Sequence, residues 1–561
     1  MNQKNKLELF ISQTKNIFLF VGLLSLVVNV LMLTPTLYML QLYDRVVTGK
    51  SAETLLSLTA IVVFIYIFLF FIDFLRHKIT IRIGNRFDEL LNEDIFKSLF
   101  KWSMLEPSKA NTQPLKDLFQ IRQFLSGNVL LSIFDLPWTI VYILVLFLFH
   151  PIFGWFAVMS IVILSAIAFV NEKMTKESQE KSNALHSTQL EQSNLYLQNS
   201  EVVNSMGILS NVHTTHKQVR DEWLDSQTAT NDLSTLFTSL TKYLRTFLQS
   251  IILGIGAYLV IQEELSPGMM IAGSILLGRV LAPIDILVGQ WKQVIISREA
   301  INRIMKLLKD TISKDDDKTQ LPEIIGNIDL KNVNMMIPNT KNMILNNINL
   351  SFKTGEITCL IGESGSGKTT LIRSILGLWG VGSGKISIDG ADIEQYDMES
   401  LGKAIGYLPQ DVELFDGTVS QNIACMGEVD DKLVISATQF CDTHEMILNL
   451  PNGYDTKIGK KGTILSGGQR QRIAIARTLY NIPKIVILDE PNSNLDDKGD
   501  LALVKTLQRL KSSNTTVIIV THKMNIVKYV DNVVLLKNGQ VASSLTTQEF
   551  FEQISKAKIG R

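Results

Sequence analysis

Apolar residues are grouped differently in the two halves of this chain: the first half has long apolar runs, and the second has short runs separated by polar turns. Six of the long runs have roughly the 20 residues that a helix needs to cross the hydrocarbon core of a bilayer. They occupy residues 17–40, 55–75, 129–149, 151–170, 243–262 and 268–289. Any single run could instead be a buried core helix, but the segment 61–71 is apolar on every helical face, which favours contact with lipid. The pattern therefore predicts a six-span helical membrane domain.

Lysine and arginine are unequally distributed between the segments that connect these spans. The amino-terminal residues and two long segments, about 76–128 and 171–242, are rich in basic residues. The short connections 41–54, 150–151 and 262–267 contain only Arg45 and Lys50. Because basic residues mark the cytosolic side of a membrane protein, both termini are predicted to face the cytosol. The two long segments are then helical extensions placed to contact a soluble domain.

Charged residues and prolines interrupt the predicted spans. The ionisable residues inside them are Asp135, Arg279 and Asp285. Charge at that depth is costly, so these side chains either line a pathway, or extend to the membrane surface or form structural pairs, and the sequence does not favour pathway lining over the other two. The prolines are Pro35, Pro137 and Pro283, which predict kinks in three spans.

The change of pattern along the chain gives the domain boundaries. We predict an amino-terminal tail at 1–16, a transmembrane domain at 17–306, a linker at 307–322 and a soluble domain at 323–561. The linker contains a charge run, 313–320, that is typical of a solvated segment. The soluble part alternates short apolar strands with helical segments, as α/β domains do.

Charge and cysteine content exclude some functions. Lys+Arg 54 balance Asp+Glu 54 in the 561 residues, and this neutral total argues against a nucleic-acid binder. The three cysteines all lie in the second half, without the spacing of a metal site, so they are predicted to be reduced thiols in a cytosolic domain.

A phosphate-binding loop is predicted at the start of the soluble domain. Its residues are Gly362, Glu363, Ser364, Gly365, Ser366, Gly367, Lys368, Thr369 and Thr370. They follow an apolar strand and precede a helical pattern, which is the context this glycine-rich motif requires. The glycines let backbone N–H groups surround a phosphate chain, and the helix start adds positive partial charge. Lys368 would contact the β- and γ-phosphates, and the Thr369 hydroxyl would bind Mg²⁺.

Further polar residues follow other predicted strands. The strand 485–488 leads into Asp489 and Glu490, where the first carboxylate would hold Mg²⁺ and the second would polarise an attacking water. His522 follows the apolar strand 517–520, at the position of a γ-phosphate contact, and Gln410 follows the strand 405–408. The segment Leu-Ser-Gly-Gly-Gln at 465–469 opens a helix whose free N–H groups offer a second anion site.

The order of these motifs resembles that of the ABC ATPases, and six spans followed by one such ATPase resemble an ABC exporter half-transporter. The implied fold is a six-helix transmembrane domain of the ABC exporter type with a carboxy-terminal α/β P-loop ATPase. The implied cofactors are ATP and Mg²⁺. In this family the acid at Glu490 is the hydrolytic base, Asp489, Thr369 and Gln410 surround the metal, and His522 steadies the γ-phosphate.

The resemblance also implies a homodimer. In the family, the signature residues of one subunit close over ATP held by Lys368 of the other. The residues concerned are Ser466, Gly467, Gly468 and Gln469.

Finer matches indicate a branch of the family. The segments 36–46, 134–138, 274–283, 407–415 and 491–496 resemble the type I secretion permease/ATPases that export proteases and repeat-in-toxin proteins. This branch implies a bacterial inner-membrane location, a periplasmic adaptor, an outer-membrane channel, and an unfolded passenger with a carboxy-terminal signal. With so short a tail, the leader-cleaving peptidase domain of some exporters is not expected here.

Two departures from the family pattern concern the ATPase. Ile337 stands where many members stack an aromatic residue on adenine, so base affinity is expected to be weaker. Lys460 replaces a usual glutamate before the signature, which changes the expected contact chemistry between the domains.

Two other functions are compatible with an ABC exporter architecture. A lipid or drug exporter would have an ATPase stimulated by those compounds, whereas a secretion exporter should respond to a carboxy-terminal signal peptide. An ATP-gated regulatory membrane protein would not transport at all, but the complete set of catalytic positions argues against it.

Overall fold

The computed structural model describes residues 4–105, 111–312, 323–336 and 343–559. The charge run 313–320 and Ile337 lie outside these ranges. The described residues form two compact units, one from the chain before residue 313 and one from residue 323 onward, the second also including Met104 and Leu105.

The first unit is helical throughout its described residues. Its helices are α1 (Lys4–Leu31), α2 (Thr34–Gln41), α3 (Ala52–Leu105), α4 (Gln113–Ser126), α5 (Asn128–Asp135), α6 (Thr139–Phe149), α7 (Pro151–Gln198), α8 (Ser200–Ser205), α9 (Leu209–Ile261), α10 (Pro267–Gly289) and α11 (Trp291–Ile312). The stretches long and apolar enough to cross a membrane are Ser12–Val47, Ala52–Met104, Asn128–Phe149, Pro151–Gln198, Leu209–Ile261 and Pro267–Gly289. The six-span prediction is therefore confirmed, and several spans continue well beyond their apolar parts.

Two of the three prolines coincide with interruptions of a span. Pro35 lies in the first turn of α2, after the break that ends α1, and Pro137 lies in a 3₁₀ turn, Leu136–Trp138, between α5 and α6. Helix α10, by contrast, is continuous through Pro283. A π-helical turn at Leu42–Val47 adds an irregularity that no proline predicts.

The predicted intramembrane acid Asp135 belongs to a buried polar network. Its Oδ1 accepts hydrogen bonds from Arg76 Nη1 at 2.6 Å and Asn29 Nδ2 at 2.9 Å. Arg76 is only 6% exposed and also pairs with Asp73 at 2.8 Å. The Tyr142 hydroxyl donates to the backbone oxygen of Asn29 at 2.8 Å. The network joins α1, α3, α5 and α6. Within one protomer, Asp135 therefore forms a structural pair with Arg76.

Asp285 is also paired, and a third carboxylate, that of Asp44, accepts hydrogen bonds at the start of α10. Arg245 Nη1 lies 2.7 Å from Asp285 Oδ2 and joins α9 to α10. The Asp44 carboxylate accepts hydrogen bonds from Ser266 Oγ at 2.6 Å and from the backbone N–H of Gly268 at 2.9 Å. A carboxylate in this position satisfies free N–H groups at the start of α10 and favours its dipole.

The second unit contains two sheets. Its strands are β1 (Ile328–Met336), β2 (Met343–Phe352), β3 (Ile357–Ile361), β4 (Ser383–Ile388), β5 (Ala391–Asp392), β6 (Ile405–Leu408), β7 (Ile485–Asp489), β8 (Thr516–Val520), β9 (Asn532–Lys537) and β10 (Gln540–Thr546). The smaller sheet is antiparallel, with the order β2-β1-β4-β5. The larger has the order β10-β9-β3-β8-β7-β6 and is parallel except at β10.

Nine α-helices lie in the part of this unit that the structure describes. They are α12 (Lys368–Ile375), α13 (Met398–Ala404), α14 (Val419–Ile423), α15 (Asp431–Phe440), α16 (His444–Leu448), α17 (Gly467–Thr478), α18 (Asp497–Ser512), α19 (Met524–Val527) and α20 (Thr547–Ile559). Short 3₁₀ turns such as Lys460–Gly462 lie between some of them.

The parallel sheet is buried on both faces, which explains its continuously apolar strands. Alternate residues of β7 enter different cores: Val486 and Leu488 pack on one side, Ile485 and Ile487 on the other. The carboxyl ends of parallel strands meet at one edge of a sheet. The phosphate loop follows β3, Glu490 follows β7 and His522 follows β8, so this edge carries the predicted chemistry.

The two sheets approach each other closely at Gly539, which leaves no space for a side chain there. Gly539 has φ +74°, a Cβ there would overlap the carbonyl oxygen of Ile344, and its own oxygen accepts a hydrogen bond from Asn346 N at 2.8 Å. Gly539→Ala is expected to destabilise the ATPase unit by more than the ~1–2 kcal/mol of left-handed backbone strain alone. Gly390→Ala is the matched control, because Gly390 has φ +84° with open space around its Cβ position. Urea unfolding should rank the two; equal losses would contradict the packing argument.

Candidate functional site

The loop after β3 has the backbone shape that a phosphate requires. Gly365 and Gly367 have φ of +80° and +100°, in the left-handed region that glycine tolerates best. A Cβ on Gly362 would overlap the carbonyl oxygen of Leu536. Glycine is therefore needed here for close approach and for the sharp turn into α12.

Donor groups converge inside this loop. Lys368 begins α12, is 8% exposed, and its Nζ donates to the carbonyl oxygens of Gly362 at 2.7 Å and Glu363 at 3.0 Å. The Ser366 hydroxyl oxygen is buried and has no hydrogen-bond partner within the described part of the chain. Helix α12 carries no side-chain cap at Gly367, so the N–H groups of its first turn remain available. A buried cation surrounded by free donors suits an anionic ligand.

Asp489 lies at the carboxyl end of β7, beside this loop. It is 1% exposed, and its Oδ2 accepts a hydrogen bond from Thr369 Oγ1 at 3.3 Å. Burial raises the pKa of the carboxyl above its ordinary value, the nearby charge of Glu490 raises it further, and the bond from Thr369 opposes both. The negative charge of the Asp489 carboxylate is therefore only partly balanced by the surrounding groups, and a bound cation would balance it.

Glu490 is flanked by both of the other predicted catalytic residues. Gln410 Nε2 lies 3.4 Å from Glu490 Oε2, and His522 Nε2 lies 3.5 Å from Glu490 Oε1. Glu490 has φ +50°, an unusual value for a residue with a side chain, and its N–H donates to Val520 O at 3.0 Å. Strained backbone of this kind persists only where the surrounding contacts hold it in place, and it is found most often at active sites.

The loop after Glu490 is held by two residues outside the predicted site. Gln471 Nε2 donates to the carbonyl oxygen of Pro491 at 3.0 Å, and Thr521 Oγ1 donates to Asn492 Oδ1 at 3.1 Å. Gln471 and Thr521 are fully buried. Gln471 lies two residues after the signature segment and Thr521 directly precedes His522, so proximity to those motifs in the sequence was the available signal.

The signature segment forms a separate cluster in this protomer. Ser466 caps α17: its Oγ accepts from Gln469 N at 3.2 Å, and Gln469 Oε1 accepts from Ser466 N at 2.9 Å, a complete capping box. Gly467 and Gly468 form the first turn. Across the described ranges, no hydrogen bond or ion pair joins these four residues to the phosphate loop.

Family models match both halves of the chain. The model described as "ABC transporter transmembrane region" covers residues 18–284, and the one described as "ABC transporter" covers residues 345–493. A curated relative, the type I secretion system ATP-binding protein PrsD of Rhizobium meliloti (strain 1021), is 35% identical over 539 residues, 96% of this chain and 92% of that protein. The chain belongs to the ABC transporters of the type I secretion branch.

Other relatives of this ABC transporter support the same branch. The leukotoxin translocation ATP-binding protein LktB of Mannheimia haemolytica and the toxin RTX-I translocation ATP-binding protein of Actinobacillus pleuropneumoniae are each 28% identical, over 94% of this chain and 75% of each relative. A solved structure of a bacterial Atm1-family ABC exporter with ATP bound has a TM-score of 0.85 over 96% of both chains at 22% identity. The fold is thus that of an ABC exporter, and the chain is a membrane protein whose ATPase is coupled to transport.

The donor set of the transporter fits Mg-nucleotide better than a metal held by protein alone. No group of three or more His, Cys, Asp or Glu side chains suited to a metal ion occurs among the residues that the structure describes. Thr369 and Asp489 supply two oxygens, and Mg²⁺ commonly takes its other ligands from water and substrate phosphates. The unpartnered Ser366 hydroxyl and the Lys368 ammonium complete a cradle for those phosphates.

A stability prediction follows from the raised pKa of Asp489. Because the folded-state pKa lies above the ordinary 3.8, the nucleotide-free protein loses stability as pH rises above that value and the buried group ionises. Asp489→Asn should therefore raise the unfolding midpoint of the nucleotide-free protein at pH 7 by roughly 2–4 °C. It should also abolish the further rise that Mg-ATP gives the wild type. A variant less stable than wild type without nucleotide would contradict this account of the site.

Proposed function

We propose that this chain is the ATPase/permease subunit of a type I secretion system and exports unfolded polypeptides across the bacterial inner membrane. The observation that carries the proposal is the end-to-end similarity to PrsD, which includes the membrane half as well as the ATPase. The convergence of Lys368, Asp489 and Glu490 at one sheet edge supports an active ATPase rather than a regulatory remnant.

Each residue of the site has a distinct role in this proposal. Phosphates of ATP bind to the N–H groups of the loop and to Lys368, and Thr369, Asp489 and Gln410 hold Mg²⁺. When bound, the metal neutralises phosphate charge and polarises the γ-phosphoryl group. Glu490 accepts a proton from the attacking water, and His522 donates to the γ-phosphate. The hydrogen bond from Gln410 orients the Glu490 carboxylate toward that water.

Export requires two copies of the chain. Separation of the signature cluster from the phosphate loop within one protomer supports a homodimer in which Ser466, Gly467, Gly468 and Gln469 close over the partner's nucleotide. ATP binding brings the two ATPase units together and hydrolysis releases them. The long cytosolic helices pass this motion to a cavity between the two sets of spans.

The orientation and the partners follow from the same proposal. The basic connecting segments support an orientation in which both termini and the ATPase face the cytosol. The passenger enters there, guided by a carboxy-terminal signal, and leaves through a periplasmic adaptor and an outer-membrane channel. Ile337 and Lys460 remain departures whose effect on nucleotide affinity and coupling is measurable by substitution.

Deletion of the gene, followed by complementation with wild type or Lys368→Ala, tests the function. We expect one or a few proteins to disappear from the culture medium, to return with wild type, and to stay absent with Lys368→Ala. Export unchanged by Lys368→Ala would exclude an ATP-driven exporter. An unchanged medium together with altered drug sensitivity or lipid composition would instead favour the lipid or drug exporter.

A further inference from the structure

A polar cleft lies between α4 and α11 in the membrane unit. It has a volume of about 310 Å³. Four glutamines line it, Gln120 and Gln123 on the α4 side and Gln290 and Gln293 on the other. Nothing in the nucleotide chemistry uses these residues, and the second pair lies at the turn that joins α10 to α11, where Gln293 N donates to Gln290 O at 2.9 Å.

The cleft holds buried polar atoms that make no hydrogen bond within the described ranges. Ser297 lines it, is 2% exposed, and its Oγ makes no hydrogen bond to any described residue. The Oε1 of Gln120 is likewise buried and accepts no hydrogen bond from the residues that the structure describes. Leaving such groups unsatisfied is costly, so their presence points to a ligand that supplies hydrogen bonds.

The walls of the cleft are fixed before any ligand binds. Asp117 of α4 is fully buried and accepts two hydrogen bonds from Arg303 of α11, both at 2.8 Å. Gln113 donates to the same carboxylate at 2.8 Å. Leu118 and Ile304 pack in one apolar cluster alongside this pair. Because these contacts already hold α4 against α11, a ligand that binds in the cleft needs to order the two helices less.

The chemistry of the lining selects the class of ligand. Lys292 is the one charged side chain among the lining residues and is exposed, which is too little positive charge for a phosphate site. Ile296 is the one apolar side chain among the lining residues, so the other carbon atoms exposed in the cleft belong to residues that carry polar groups. Glutamine amides offer both donors and acceptors, the complement of a neutral amide.

We propose that this cleft binds the main chain of the exported polypeptide, independently of its side chains. The glutamines of each pair are one helical turn apart, about 5–6 Å. An extended peptide advances roughly 3.3 Å per residue, so groups on the same side recur at a comparable spacing. The inference rests on the proposed export of unfolded polypeptides, and the cleft lies where the third and sixth spans leave the membrane at the end proposed to be cytosolic.

Binding of a defined peptide to the full transporter in lipid nanodiscs tests the inference. The probe is an unstructured peptide of alternating glycine and serine with a terminal fluorophore, and its counterpart replaces each glycine by N-methylglycine. Wild type should bind the first peptide saturably and the methylated peptide about tenfold more weakly, since backbone donors are lost. Gln120→Met/Gln293→Met keeps side-chain length but removes two amides, and should raise the Kd for the first peptide about tenfold.

Two controls distinguish a loss of peptide binding at the cleft from general damage to the transporter. Gln218→Met/Gln262→Met changes two exposed glutamines outside the cleft and should leave the Kd unchanged. The cleft variant should retain the basal ATPase rate. An unchanged Kd in the cleft variant, equal binding of the methylated peptide, absence of saturable binding, or displacement by inorganic phosphate would each overturn the inference. If Lys368→Ala blocks export while the cleft variant binds normally, this inference fails and the proposed function stands; if Lys368→Ala exports normally, the function itself fails.

Discussion

Purified transporter carrying Glu490→Gln is expected to bind ATP and to hydrolyse it at least about 100-fold more slowly than wild type, the usual contribution of a general base. Glutamine has nearly the same shape as glutamate, and its amide oxygen can still accept the hydrogen bond that Gln410 Nε2 gives at 3.4 Å. It cannot accept a proton from water. The substitution therefore removes the chemical step and leaves the geometry in place.

The same variant should accumulate in its ATP-bound dimeric form, because closure continues and the hydrolysis that reopens the dimer stops. Size-exclusion chromatography with light scattering on the detergent-solubilised protein, with and without Mg-ATP, measures this. Glu428→Gln is a matched control at an exposed position before α15 and should behave as wild type. Near-normal turnover by Glu490→Gln would remove Glu490 from the role of base.

Local sequence pattern was sufficient for the elements that carry the site. The apolar run before the phosphate loop is β3, and the loop glycines have positive φ as the motif requires. Continuous apolar strands with both faces buried were also predictable, since alternation disappears when a sheet is covered on both sides. The six membrane spans were visible for a similar reason, because a lipid-facing helix needs a minimum apolar length.

Long-range pairing was not predictable. The partner of Asp135 is Arg76, which lies on a different helix, so the sequence left pathway lining and structural pairing equally open. The left-handed backbone of Glu490 depends on its bond to Val520 in the neighbouring strand. The glutamine cleft likewise arises only when α4 and α11 pack together. These features are set by tertiary contacts, and no local pattern encodes them.

If each ATP site is shared between two subunits, ATP hydrolysis should depend strongly on how two inactivating substitutions are distributed between the subunits. Lys368→Ala removes the phosphate-binding ammonium, and Ser466→Asp places negative charge where the signature would meet the partner's phosphates. Aspartate still caps α17, because its carboxylate can accept the bond that Ser466 Oγ accepts from Gln469 N. Each homodimer then has two defective sites and should hydrolyse ATP at background rate.

A heterodimer of the two single variants should regain one intact site, formed by Lys368 of one chain and Ser466 of the other. Single-turnover measurements on dimers purified through two different tags should show one ATP hydrolysed per heterodimer. The decisive control places both substitutions on one chain and pairs it with wild type, which contains the same substitutions yet leaves both composite sites defective. Activity in that control, with none in the first heterodimer, would show that the signature acts within its own subunit. The separation of Ser466 from the phosphate loop in one protomer predicts the opposite result, because the two halves of the site can then meet only across a dimer interface.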